Sequence, residues 1–155
     1  MTAMFTSSPR VPIKDFPDHH DAEIVIKLYE LRTEAVMRES RKAVGRFLPK
    51  SFEELQELIR PDAPTNPQWR QVTTYWEMAY GMVKHGVLHP DFMIECNGAE
   101  GLFVLARVEP YVEHLRAQLG PHTLANTEWV ARNTEAGKRM FELFRARVER
   151  LRSAK

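Results

Sequence analysis

With 155 residues and a mass of 18.0 kDa, the chain falls in the size range that supports one hydrophobic core. It is 43% hydrophobic and 28% charged, a globular balance that excludes a disordered, collagenous or membrane-embedded chain. Lys and Arg number 22 against 21 Asp and Glu, so the formal charge of +1 creates no whole-molecule attraction toward nucleic acid or anionic lipid.

Residues 1–17 contain Pro9, Pro12 and Pro17 with scattered basic and polar residues, which reads as an extended arm rather than a signal peptide. Residues 18–152 then read as a single domain. Asp18 precedes a long amphipathic run as its N-cap, with Asp21 and Glu23 in the first turn and Arg41, Lys42 and Arg46 toward the end, as the helix dipole favours. At 100° per residue Ile24, Val25, Leu28, Leu31, Ala35, Val36 and Ala43 share a wide apolar face, which Ile26, Met37 and Val44 extend. So broad a face predicts a central helix with several neighbours.

After Gly45 and Pro49, Ser51 with Glu54 three residues on reads as a capping box for a short helix burying Phe52, Leu55 and Ile59. Asn66 as N-cap and Pro67 in the first turn open a helix to about Gly86. Its core face is aromatic, with Trp69, Tyr75, Trp76 and Tyr80, and its opposite face carries Arg70, Thr74, Glu77 and Lys84. The run HPDFMIECNG predicts a short helix with Pro90 in its first turn and a left-handed end at Asn97-Gly98. From Ala99 to Leu119 one helix is expected, kinked near Ala106 by Pro110. Asn126 or Thr127 is expected to cap a long last helix whose core stripe runs from Trp129 and Val130 through Met140, Phe144, Val148 and Leu151, with Gly137 allowing a close helix approach. No strand pattern is present. The fold expected is all-α, a bundle of four long helices with one or two short connecting helices.

The stretch from Asn66 to Arg116, above all TYWEMAYGMVKHGVLHPDF, ECNG and VEPYVEHLR, together with the opening DHHDAEIVIKLYELR, resembles an uncharacterised bacterial family of small helical proteins. The resemblance implies a helical fold and brings no catalytic residue or activity with it. Related helical families sometimes begin with a membrane anchor, and this sequence shows none.

Chemistry-bearing residues are sparse in pattern. Six histidines invite a metal site, yet neither Glu-x-x-His pairs nor a His-Glu-x-x-His motif occurs, so no metal is expected. The residues worth testing as ligands are His20, Glu23, His85, His89 and Glu95. Arg32 and Glu39 project into the apolar arc of the first helix, where a buried charge must be paired, and could line a polar pocket with Glu77 and Arg107. Cys96 is the lone cysteine and reads as a buried packing residue in a reducing, cytoplasmic setting. No phosphate loop, hydrolase elbow or zinc-knuckle motif is present, and the longest apolar run, Leu102 to Ala106, is far short of the roughly 20 residues a membrane span requires. From Arg132 onward eight Lys or Arg face three Glu, but they scatter around the helix rather than forming a nucleic-acid stripe. The function expected is a non-catalytic helical interaction or scaffold domain without a cofactor, whose partner is itself or another protein. The alternative is a helix-bundle enzyme or ligand-binding protein with a polar pocket between helices.

Overall fold

The computed structural model describes residues 13–154, so most of the N-terminal arm lies outside the described residues. Among the described residues the chain forms nine α-helices and no strand: α1 (His19–Thr33), α2 (Ala35–Val44), α3 (Phe52–Ile59), α4 (Asn66–Lys84), α5 (Pro90–Asn97), α6 (Glu100–Val108), α7 (Val112–Leu119), α8 (Ala125–Asn133) and α9 (Glu135–Ser153), with a 3-10 turn at Glu109–Tyr111 between α6 and α7. None of these helices is long and apolar enough to cross a membrane.

Several ends follow from the sequence as expected. Asp18 accepts hydrogen bonds from the amides of His20 and Asp21, and the Asp21 carboxylate accepts from the Asp18 amide, closing a capping box at the start of α1. Ser51 accepts from the Glu54 amide at α3, although the Glu54 carboxylate reaches past it to the Lys50 amide. Pro90 opens α5, and Gly98 closes it at φ +86, a value that favours glycine.

Three expected long helices are each divided. The first breaks at Glu34, whose extended backbone separates α1 from α2 although neither glycine nor proline marks the spot. The helical phase is reset there. Val36, assigned to the core from the continuous wheel, consequently stands 68% exposed, and Ile26, also assigned there, is 60% exposed because it lies off the α1 face that buries Val25 and Leu28. The second divides at Pro110 itself rather than bending near Ala106, because the proline sits inside the 3-10 turn and α6 has already ended. The third divides at Thr134, whose hydroxyl donates to the Val130 carbonyl at 2.9 Å and accepts from the Gly137 amide at 3.0 Å. Gly137 therefore serves this corner, where a Cβ would overlap the Val130 carbonyl, and Asn133 turns out to solvent.

The centre belongs to α4 and α6 rather than to the first helix. Helix α4 packs against α2, α6 and α8, and α6 packs against α8 and α9, while α1 lies on α5. Seven residues of α4 are buried, from Trp69 to Val83, which bears out the aromatic core face read from sequence. In α6 every residue from Gly101 to Val108 except Phe103 is buried. The two helices meet at Gly101, where a Cβ would come within 2.6 Å of Tyr80 Cε2 and 2.7 Å of Trp76 Cγ. Only a glycine lets the backbone lie this close to two aromatic rings.

Candidate functional site

A groove of about 700 Å³ runs along α4 and is closed on its far side by the loop from Leu119 to Ala125. Its wall on α4 carries Arg70, Thr74, Glu77 and Lys84, the polar face anticipated from the helical wheel. Trp69, Leu119, Pro121 and Leu124 supply apolar lining. The loop is held by its own bonds: Thr123 donates from both its amide and its hydroxyl to the Gly120 carbonyl, at 3.2 and 2.9 Å, and Arg116 Nε donates to the Thr123 carbonyl at 3.1 Å. Leu124 then adopts a left-handed backbone, φ 54, with its side chain buried. For a residue with a Cβ this conformation costs about 1 kcal/mol, and it fixes the corner at which α8 begins.

Leu124 cannot cap α8, and Glu77 does so from α4. The Glu77 carboxylate accepts from the Asn126 amide at 3.0 Å, the Thr127 amide at 2.8 Å and the Thr127 hydroxyl at 2.6 Å, while Asn126 Nδ2 donates to the Glu77 carbonyl at 3.1 Å. Asn126 or Thr127 was expected to cap this helix. Instead their amides are the groups being capped. The negative charge of Glu77 is directed at the helix N-terminus, where free amides and the dipole stabilise it. Of the groove's charged residues, Arg70 and Lys84 have no carboxylate partner among the described residues.

The other residues proposed for a polar pocket are placed apart. Arg32 donates to the Asn97 carbonyl at the end of α5, and Arg107 donates to the Val44 carbonyl at 2.9 Å with its guanidinium 3.9 Å above the Phe103 ring. Burial lowers the Arg107 pKa from its ordinary value. Glu39 is exposed, because the break at Glu34 turns it away from the arc it shared with Arg32 on a continuous wheel. Each arginine thus ties one helix to the carbonyl end of another.

Two polar ties between helices were not foreseen. In the first, Tyr75 Oη donates to the Leu28 carbonyl at 2.8 Å and accepts from Asn97 Nδ2 at 3.1 Å, beside a bidentate pair of Arg41 with Glu100. In the second, Asp21 is fully buried and accepts from Lys14 Nζ, the Asp18 amide and the His89 amide, each at 2.7 Å. Burial pushes the Asp21 carboxyl up, but Lys14 and the two amides outweigh it and hold the pKa at about 2. Asp18 and His89-Pro90 are the sequence signals that place α1 and α5 together here, since each marks a helix start.

The histidines separate just as clearly. His89 is buried at the start of α5, where Nδ1 accepts from the Phe92 amide at 3.2 Å and Nε2 lies 3.3 Å from the Asp15 carbonyl. Both ring nitrogens are engaged. His85 and Glu95 are exposed and do not join it in a ligand cluster. Among the described residues, the ligand-type side chains that gather are His19, His20 and Glu23, whose donor atoms lie within 4.8 Å of one another. Cys96 is exposed, contrary to the packing role expected, because α5 directs Met93 and Asn97 inward.

A family model described as a domain of unknown function, DUF4760, matches residues 17–134. The chain belongs to this family. No curated protein and no solved structure matches it. The DUF4760 match spans α1 to α8 and so includes the Tyr75 tie, the Glu77 cap, the whole groove and the Asp21 tie apart from Lys14. Helix α9 begins just beyond it, yet buries Phe141 and Val148 against the rest. For this DUF4760 chain, sequence reasoning singled out Glu77 but not the loop opposite, because spacing along α4 does not show which distant segment faces it.

Proposed function

We propose that this DUF4760 chain is a non-catalytic interaction domain whose α4 groove docks an acidic, partly apolar segment of a partner protein. The observation that carries this reading is the charge pattern of the groove. Its one carboxylate, Glu77, is occupied by the amides of α8, while Arg70 and Lys84 remain as cations beside an apolar lining. An acidic segment bearing apolar side chains complements both features, and charge matching of this kind raises association rates and selects against basic competitors. The interior polar groups support the same reading, because Asp21, Arg32, Tyr75 and Arg107 are taken up in holding helices together.

The test places a photo-crosslinking amino acid at exposed Thr74 of the full chain in cells and sequences the captured segment. The expected product is one acidic, apolar segment, lost in the Arg70→Glu/Lys84→Glu double variant and weakened by added salt. Native mass spectrometry of tag-free protein separates the other occupants. A dimer abolished by the same double variant would put a second copy in the groove, and a small bound anion would replace a protein partner with a ligand.

A further inference from the structure

We propose that His19, His20 and Glu23 form a surface site for one zinc ion, independent of the groove. His19 and Glu23 stand four residues apart on α1, and His20 and Glu23 stand three apart, so all three project from its first turn and a half. Their donor atoms already lie within 4.8 Å of one another, the imidazole centroids are 4.1 Å apart, and His20 Nδ1 is 3.9 Å from Glu23 Oε2. Zinc bonds of about 2.0–2.1 Å in a tetrahedron bring donor atoms to roughly 3.3 Å. The remaining contraction is small, and all three side chains are exposed and free to rotate into it.

The surroundings favour a cation. Asp18 is exposed beside the cluster, the Lys14 ammonium is held by Asp18 at 3.1 Å and Asp21 at 2.7 Å, and Lys27, one turn along α1 from Glu23, pairs with Glu30 at 3.2 Å. The positive end of the α1 dipole, which would oppose a metal, is blunted because Asp18 already accepts from the His20 and Asp21 amides. Two imidazoles with one carboxylate suit zinc better than magnesium, which demands an octahedron of oxygens. Three protein ligands leave the fourth zinc position to water.

The experiment is calorimetric titration of zinc chloride into the full, tag-free chain at about pH 7. One equivalent is expected to bind, with magnesium chloride giving no heat. His19→Ala, His20→Ala and Glu23→Gln are each expected to weaken zinc binding at least tenfold while leaving the metal-free melting curve unchanged, since all three residues are exposed. Amide shifts on zinc addition should centre on the first turns of α1. The Arg70→Glu variant should bind zinc normally, which separates this site from the groove. Absence of zinc binding, or equal binding by the three variants, would overturn the proposal; in the latter case the shifts would report which other residues hold the metal.

Discussion

Glu77 accepts three hydrogen bonds from α8 while lining the groove, so its removal tests structure and charge together. Hydrogen bonds to a charged group contribute about 1.5–3 kcal/mol. Glu77→Ala also leaves the α8 amides uncapped, and a melting temperature lower by about 5–10 °C is expected for a domain of this size. Glu77→Gln should lose less, because its amide oxygen still accepts one of the bonds. Equal melting of all three proteins by differential scanning calorimetry would show that the cap contributes nothing. Asp21 gives a second prediction at this scale. Its pKa falls from 3.8 unfolded to about 2 folded, so its contribution to stability is complete above pH 4 and disappears as pH drops toward 2. Urea unfolding between pH 6 and 2 should show an acid-dependent loss that is reduced in Asp21→Asn. Part of the residue-scale layout was readable: His20 and Glu23, two of the five residues named for testing as ligands where no metal was expected, stand together with His19, whereas His85, His89 and Glu95 do not join them. The burial of Asp21 was not, since it depends on α5 approaching from 68 residues away through the His89 amide.

Helix ends that carry their own signal were legible, and those imposed by tertiary packing were not. Asp18, Ser51, Pro67, Pro90 and Gly98 each mark a boundary through a local cap, a fixed φ or a positive φ. Glu34 does none of these things, and its side chain makes no capping bond. The break there lets α1 lie on α5 while α2 packs against α4, a division of contacts that periodicity alone cannot encode. Thr134 lies between the two cases, because threonine is a favoured N-cap residue whose signal a continuous apolar stripe obscured. Thr134→Ala is expected to cost about 1 kcal/mol as a lost cap. Gly137→Ala should cost more, since the added Cβ overlaps the Val130 carbonyl and the chain must move. If both variants melt with the wild type, the α8–α9 corner is not held as described.

Across the whole molecule, stability should be graded outward from α4 and α6. Helix α4 buries Trp69, Val72, Tyr75, Trp76, Ala79, Tyr80 and Val83, and its contacts with α2, α6 and α8 mean that opening it disrupts three neighbours at once. Helix α3, by contrast, buries only Leu55 and Ile59, and α7 only Val112 and Leu115. Opening either exposes little apolar area and leaves the α4–α6 contact at Gly101 intact. In native-state hydrogen exchange, amides of α4 and α6 should therefore exchange only through global unfolding, with a common free energy that falls as denaturant rises. Those of α3 and α7 should exchange at lower free energy through local openings nearly insensitive to denaturant. Gly101→Ala sharpens the test, because overpacking Trp76 and Tyr80 should lower the protection of α4 and α6 together by about 1–3 kcal/mol. Protection lost in one of these helices but kept in the other would show that they do not form a single cooperative centre.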